Sequence, residues 1–285
     1  MSGLESVTRQ SGRVLIIAGS DSGGGAGIQA DIKTVTALGA YAATAITALT
    51  AQNTEGVFGV HDVPAAFVQQ QMRLVLSDIG ADCLKTGMLH NQAVIEAVVD
   101  VIQHEARGIP LVVDPVMVAK GGAPLLEADA LGALKTLLLP RANIITPNLP
   151  EAELLVGFAI SGLEDQKRAG AALLAQGYRA ALVKGGHLAD ETIHDVLVLP
   201  NATTVFSGPR IETRHTHGTG CTLASAIAAG LAQGMPLAAA VKRARDFVFE
   251  AIRTAPGFGQ GHGPINHAHT VKPMRDAVGD SKAQA

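Results

Sequence analysis

Short continuous apolar runs alternate with stretches of helical periodicity along almost the whole chain. Val14 to Ala18 precedes a helical pattern from Ile28 to Leu38, Ala43 to Ala48 precedes Pro64 to Ile79, and Cys83 to Lys85 precedes Gln92 to Arg107. The rhythm continues with Leu111 to Val113 before Ala128 to Leu139, and Asn143 to Thr146 before Pro150 to Val156 and Glu164 to Gln176. Ala181 to Lys184 closes the series. Strands that are apolar without alternation are strands covered on both sides, so the pattern predicts an α/β fold with a mostly parallel central sheet and helices on both faces. His194 to Leu199 and Thr203 to Ile211, around Pro200-Asn201, predict a small antiparallel strand pair. Two closing helices are expected at Thr222 to Gln233 and Leu237 to Thr254. No linker or charge block interrupts the pattern. The expectation is one domain over residues 13–273, with flexible tails at 1–12 and 274–285.

Ligands of such sheets gather beyond the carboxyl ends of the strands, where Ser20, Gln52, Met88, Asp114, Asn148, Lys184 and Gly218 all fall. Two glycine-rich turns open there, at Gly19 to Gly27 and at His215 to Leu223. In the second, Gly218 and Gly220 free the backbone so that successive N–H groups, Thr219 included, converge on one anion. The helix behind them adds the positive end of its dipole, which predicts a phosphate site. Cys221 falls in the first turn of that helix, where the same field is expected to lower a thiol's pKa toward the thiolate. Taken alone, the segment reads equally as a tight helix entry with a small buried cysteine. Lys184 ends an apolar strand before Gly185-Gly186, where it either snorkels or delivers an ammonium to phosphate oxygens. Asp114 and Glu151 are carboxylates of the kind Mg²⁺ takes one or two of, or else a turn former and a helix-start residue.

Taken together, these two turns, Asp114-Pro115-Val116-Met117-Val118-Ala119-Lys120, Thr146-Pro147-Asn148-Leu149-Pro150-Glu151-Ala152-Glu153 and Val183-Lys184-Gly185-Gly186-His187 resemble the ribokinase superfamily. Within it they are similar to the hydroxymethylpyrimidine/phosphomethylpyrimidine kinase branch, in one order from about residue 14 to residue 267. The resemblance implies a ribokinase-like fold and ATP- and Mg²⁺-dependent phosphorylation of 4-amino-5-hydroxymethyl-2-methylpyrimidine, and of its monophosphate, in thiamine biosynthesis. It implies that Gly218, Thr219, Gly220 and Cys221 hold the transferring phosphate, with Cys221 as base. Lys184, Asn148, Gly185 and His217 would meet the nucleotide, and Asp114 and Glu151 the metal. Gln52, in Thr50-Ala51-Gln52-Asn53-Thr54, would read the aminopyrimidine, whose ring nitrogen and exocyclic amine suit a carboxamide. Gly19, Asp31, Met88 and Val116 would complete that pocket, the methionine offering an adaptable sulfur surface. Two departures stand out: Cys221 occupies the place where the wider superfamily carries aspartate, and Gly23 the place where many relatives carry serine, leaving Ser22 as the local hydroxyl. Related kinases are often dimers, so a homodimer is expected.

Charge and composition narrow the partners. With 22 basic and 25 acidic side chains the formal net charge is −3, so neither nucleic acid nor an anionic membrane is an expected partner. Two cysteines, Cys83 and Cys221, in so large a chain are expected to be reduced, which with the polar segment through Arg13 points to the cytoplasm. His215, His217, His262, His267 and His269 follow no zinc spacing. Gly19 to Gly27 lacks the Gly-x-Gly-x-x-Gly register, which disfavours a dinucleotide-binding oxidoreductase. The competing readings are a pyridoxal/pyridoxine kinase and a catalytically silent pyrimidine-binding protein.

Overall fold

The computed structural model describes residues 11–118, 125–127, 129–188 and 190–272. Its strands are β1 (Arg13–Asp21), β2 (Tyr41–Gln52), β3 (Val57–Asp62), β4 (Cys83–Thr86), β5 (Leu111–Val113), β6 (Ile144–Ile145), β7 (Ala181–Lys184), β8 (Thr192–Leu199) and β9 (Ala202–Pro209). They form one sheet in the order β3-β2-β1-β4-β5-β6-β7-β8-β9. The six from β2 to β7 in that order run parallel, while β3 at one edge and β8 and β9 at the other are antiparallel. The helices are α1 (Gly27–Ala37), α2 (Ala65–Asp78), α3 (Gln92–Glu105), α4 (Ala130–Ala133), α5 (Leu149–Val156), α6 (Leu163–Ala175), α7 (Thr219–Ala232) and α8 (Leu237–Arg253).

β1 shows why the strands read as unbroken apolar runs. Leu15 and Ile17 pack into a cluster with Val68 and Met72 of α2 and Val94 and Ile95 of α3, while Val14 and Ile16 pack with Val35 of α1, Ile227 of α7 and Val241 of α8. Both faces of the strand are dry, so no position is left for a polar residue. The run of small residues in α7, buried from Thr222 to Gly230, lets that helix lie close to the sheet and carry its first turn to the carboxyl edge of the strands.

Several expectations shift. β3 carries almost no burial, its Phe58 and Val60 being exposed, so no continuous apolar run announced it, and its partner β2 runs on past Ala48 to Gln52. The expected helix from Ala128 to Leu139 begins outside the described residues. From Ala130 it is one α turn, then a wider turn over Leu134–Leu138 and a tight one over Leu139–Arg141. Pro140 explains the break, because its ring cannot supply a helical N–H and crowds the preceding turn. The antiparallel pair forms, with Leu199 opposite Ala202. β9 stops at Pro209, two residues before the expected end. Ser11 and Gly12, expected in a loose tail, are tied in by Ser11 N–H to Gly39 O (3.2 Å) and Tyr41 N–H to Gly12 O (2.9 Å). The remainder of both tails, Ala119 and Lys120 lie outside the described residues. Cys83 and Cys221 are both free thiols. Among the described residues no helix is long and apolar enough to cross a membrane.

After α8 the chain returns across the sheet edge. Gly261 N–H donates to Thr54 Oγ1 (3.2 Å) and His262 N–H to Thr54 O (2.8 Å), closing this segment over the β2–β3 turn. His267 Nε2 meets Thr222 Oγ1 at 2.9 Å in the first turn of α7. Burial, with smaller contributions from Lys33 and neighbouring histidines, pushes the His267 pKa down to about 4 from an ordinary 6.5. Between those values the unfolded chain binds a proton that the folded chain does not, so stability falls as pH falls through this window. The group accounts for a loss of roughly 3 kcal/mol on complete acidification. Urea unfolding at neutral pH and near pH 4 checks this: His267→Gln is expected to show a smaller acid loss than the parent by about that amount. An equal loss in both would assign the acid sensitivity to other groups.

Candidate active site

The first glycine turn is wrapped around a carboxylate of its own. Asp21, the last residue of β1, accepts N–H bonds from Gly23 (2.7 Å) on Oδ1 and from Ala26 (2.8 Å) and Gly25 (3.1 Å) on Oδ2. Oδ2 also meets His217 Nε2 at 2.8 Å. Burial on its own would push the Asp21 pKa up, but the His217 bond and the Ala26 and Gly23 N–H groups outweigh it and hold the pKa below the ordinary carboxylate value. With Asp21 ionised, the His217 Nε2 is the donor. Gln52 Nε2 lies 3.2 Å from the same nitrogen, and its Oε1 takes the Thr50 hydroxyl at 3.1 Å. Ser22 Oγ donates to Gln52 O (2.8 Å) and accepts Gln52 N–H (2.9 Å), so this hydroxyl clamps the end of β2.

The second glycine turn leans on the first. Gly218 sits at φ 84°, just before α7, and a side chain there would run into the Gly25 carbonyl. Glycine at 218 is therefore demanded twice, by the left-handed backbone and by the close approach. No side chain caps α7; the Thr219 N–H turns back to Thr216 O (3.4 Å), and the Gly220 and Cys221 N–H groups follow it in the first turn. A Cβ at Gly220 would lie 3.4 Å from Lys184 Nζ and 3.5 Å from Asp114 Oδ2, so the ends of β5 and β7 and the start of α7 converge on one point.

Asp114 Oδ1 holds Lys184 Nζ (2.9 Å) and the Thr146 hydroxyl (2.9 Å). Burial would lower the Lys184 pKa, but Asp114 and Glu151 outweigh it and hold the ammonium charged. Asn148 and Glu151 form a reciprocal cap on α5: Glu151 N–H donates to Asn148 Oδ1 (2.9 Å), and Asn148 N–H donates to Glu151 Oε2 (2.8 Å). The helix-start role thus exists in the geometry beside any metal role. Burial, reinforced by Asp114 and opposed by Lys184, pushes the Glu151 carboxyl up to about 7. Gly185 donates its N–H to Asp195 Oδ1 (2.9 Å) and lies against the His194 carbonyl, so its lack of a side chain serves the β7–β8 crossing.

Around Gln52, Gly19 lies under Met88, whose Sδ would be 3.2 Å from a Cβ at that position. Met88 O accepts the Thr47 hydroxyl (2.6 Å), and Val116 is half-buried beside Asp114, to whose carbonyl its N–H donates (2.8 Å). Three expectations change. Asp31 does not face an open pocket: it is 0% exposed, with both oxygens on Lys85 Nζ (2.8 and 2.9 Å) and the Ser225 hydroxyl on Oδ1 (2.7 Å). His217 groups with Gln52 and Asp21 rather than with Lys184, because the buried Asp21 carboxylate accepts its ring N–H. The Cys221 thiol is not lowered by the helix start. Burial pushes it up to about 12, with Lys85 and the Gly27 N–H pulling down and Asp31 and Asp114 pushing up. Lys85 and Asp21 were not singled out by sequence reasoning. The signals were a lysine inside the apolar strand Cys83-Leu84-Lys85-Thr86, and an aspartate placed just ahead of three glycines.

A family model for phosphomethylpyrimidine kinase matches residues 21–266. The chain is 49% identical over 259 residues to the hydroxymethylpyrimidine/phosphomethylpyrimidine kinase of Haemophilus influenzae, covering 90% of this chain and 96% of that one. It is 52% identical over 265 residues to the thiamine biosynthesis bifunctional protein ThiED of Geobacter sulfurreducens. That match takes in 93% of this chain and 54% of the relative, so the chain spans about half of the bifunctional protein. Among solved structures, a phosphomethylpyrimidine kinase from Clostridium difficile 630 superposes with a TM-score of 0.75 at 42% identity, over 84% of this chain and 99% of that one. The ADP complex of Bacillus subtilis pyridoxal kinase superposes with a TM-score of 0.84 at 35% identity, over 90% and 98%. The family match runs from Asp21 to just short of His267 and so takes in both glycine turns, the Asp114–Lys184 pair and the cap at Asn148. The chain, with its ribokinase-like sheet and the convergence of Lys184 and Asp114 at the start of α7, belongs to the phosphomethylpyrimidine kinase family of phosphotransferases.

Proposed function

We propose that the protein phosphorylates the hydroxymethyl group of 4-amino-5-hydroxymethyl-2-methylpyrimidine and then the resulting monophosphate, using ATP and Mg²⁺, in thiamine biosynthesis. The observation that carries this reading is the meeting of Lys184, Asp114 and the uncapped first turn of α7 at Gly220. Lys184 and the N–H groups of Gly218 to Cys221 offset charge on the transferring phosphate. Asn148, Gly185 and the neighbouring Gly186 lie on the nucleotide side. The resemblance to kinases that are often dimers supports a homodimer, the two free thiols support the cytoplasm, and a formal net charge of −3 supports neither nucleic acid nor an anionic membrane as partner.

The carboxylates fit Mg²⁺. Lys184 and Thr146 both bind Asp114 Oδ1, which leaves Asp114 Oδ2 clear of those bonds, while the Glu151 carboxylate is held by the backbone N–H groups of Asn148 and Met117. Among the described residues no group of three or more His, Cys, Asp or Glu gathers as a metal cage. That suits a cation that keeps several waters and takes one or two carboxylates. When bound, Mg²⁺ supplies charge neutralisation on the triphosphate. Phosphoryl transfer through a loose transition state asks little activation of the attacking hydroxyl. Cys221 is therefore required only to accept its proton as the new O–P bond forms. Gln52 reads the pyrimidine by giving up its bond to the Thr50 hydroxyl and turning its amide, which lies beside His217, to the ring nitrogen and amine. A second reading has support in the pyridoxal kinase superpositions, which reach the TM-score of 0.84 at 35% identity.

A thiol held at about 12 is protonated at neutral pH, and the fraction able to accept a proton grows with pH. kcat/KM is expected to rise about tenfold per pH unit through the neutral range. Cys221→Ser is expected to lose that slope, and about 10²- to 10⁴-fold in kcat, with substrate affinity nearly unchanged. Near-normal turnover in the serine variant would remove Cys221 from the proton transfer.

Glu151→Gln separates the two roles of that residue, because glutamine at this position still serves the reciprocal cap. The Mg²⁺ concentration for half-maximal rate is expected to rise while pyrimidine binding without nucleotide stays unchanged. An unaltered Mg²⁺ titration leaves Glu151 as a helix cap alone.

Gln52→Leu bears on the substrate. It leaves ring groups of a bound aminopyrimidine without partners, at about 1–3 kcal/mol per group. The ratio of kcat/KM for the pyrimidine to that for pyridoxal is expected to fall by more than tenfold. A wild type that prefers pyridoxal, or a ratio that does not move, sinks the pyrimidine assignment and leaves the kinase assignment standing.

A further inference from the structure

The chain that follows Lys184, between β7 and β8, is fixed by side chains from several other elements. Gln166, 0% exposed on α6, bridges the two strands: its Nε2 donates to His194 O (2.9 Å) and Val183 O (3.3 Å). Asp195 of β8 takes the Gly185 N–H on Oδ1 (2.9 Å) and is itself held on Oδ2 by Arg245 Nε of α8 (2.7 Å). Beyond Gly185 the bonds come from one residue. Arg210, the first after β9, donates Nε to Asp190 O (2.8 Å), Nη1 to Gly186 O (3.3 Å) and Nη2 to Leu188 O, and its backbone N–H donates to Glu191 O (2.7 Å). One guanidinium thus gathers three carbonyls of a segment that opens with Gly185-Gly186.

Satisfying those carbonyls does not require an arginine. Gly186 and Asp190 are exposed, so water is at hand for both, and a bond to water is nearly as good in enthalpy. What a planar fork of fixed donors adds is shape. It selects one backbone arrangement from the many open to a turn that starts with two glycines, at the cost of its own rotamer freedom. Preorganisation of that kind strengthens binding at the segment it fixes. Gly19 and Gln52, on the pyrimidine side, lie at β1 and β2, whereas Lys184 and Asp114 meet Gly220 at the ends of β7 and β5. In-line transfer puts the attacking hydroxyl and the departing ADP on opposite sides of the phosphorus, so the nucleotide extends away from β1 and β2, toward β8 and β9. Lys184 pairs with Asp195 and Thr192 with Pro209, which sets Arg210 at that same edge of the sheet, across β8 from Lys184.

We infer that Arg210 is a positioning residue for the nucleoside triphosphate: its guanidinium fixes the Gly186, Leu188 and Asp190 carbonyls and so holds the turn after Lys184 in the shape that receives the nucleotide. Arg210 acts through that backbone rather than by contact with the transferring phosphate. The inference rests on Lys184 and Gly185-Gly186 being the nucleotide side, and its test separates the two.

The readout is the affinity of the full chain for a fluorescent, non-hydrolysable ATP analogue with Mg²⁺, together with steady-state KM values, in Arg210→Lys and Arg210→Gln. Circular dichroism and the thermal midpoint report the folding of each. Lysine keeps a positive charge but offers one ammonium in place of the fork, and glutamine keeps a donor without charge. In both variants the Kd of the analogue and the KM for ATP are expected to rise about tenfold, with kcat at saturating ATP and pyrimidine binding without nucleotide held within about twofold. Parental nucleotide affinity in either folded variant overturns the inference, whatever the thermal midpoint does. So does a loss of pyrimidine affinity equal to the loss of nucleotide affinity, which is the mark of general loosening. A Lys184→Met chain that binds the analogue with parental affinity instead defeats the nucleotide-side reading beneath the inference, independently of the Arg210 variants.

Discussion

One buried carboxylate, that of Asp21, holds the two glycine turns of this enzyme together. It fills the N–H cradle of its own turn and takes the His217 proton from the other, across 196 positions of sequence. With that bond in place Gly218 can rest against the Gly25 carbonyl, and α7 begins where its uncapped end faces Lys184 and Asp114. The helix start is anion-seeking only because the first turn has already been satisfied internally. A turn that left its own N–H groups open would compete for the same phosphate.

The electrostatics of the site are organised in opposed pairs, Asp31 with Lys85 and Asp114 with Lys184, while Asp21 is matched by N–H donors, the His217 ring among them. Each pair spans two or more elements of the fold. Each stands close enough to the start of α7 to shape charge there while contributing little net charge itself. Preorganisation of this kind lets the site meet a highly charged nucleotide without first reorienting its own dipoles. It also explains why the Cys221 thiol sits high in the unliganded chain. Burial dominates where opposing neighbours largely cancel, and the helix start does not overcome it.

Much of this architecture is legible in the sequence, and the illegible parts share a cause. Continuous apolar runs such as Val14 to Ala18 mark parallel strands because both faces of the sheet are covered, and the strand ends then locate Asp114, Asn148 and Lys184 at one edge. β3 escapes because an exposed edge strand needs no apolar face. The break near Pro140 was written in that one residue but hidden by the helical periodicity around it. Lys85 and Asp31 escape for a deeper reason. A charge inside an apolar strand is interpretable only with its partner, and that partner lies 54 residues away on another element. A longer separation, 196 positions to Asp21, defeats the placement of His217.

The bonds that tie Gly261 and His262 to Thr54 have a consequence in time. A ribosome delivers the N-terminal strands long before the segment that closes over them, so the parallel core can pair while both halves of the phosphate site are still apart. Closing contacts separated by some 200 positions carry a large loop entropy and form late. The nascent chain therefore passes through a stage in which the sheet is largely built and the glycine turn after β1 is exposed without its partner. The glycine turn after β1 gains its partner only when His217 has followed it by 196 positions, and the cover over the β2–β3 turn only when Gly261 reaches Thr54.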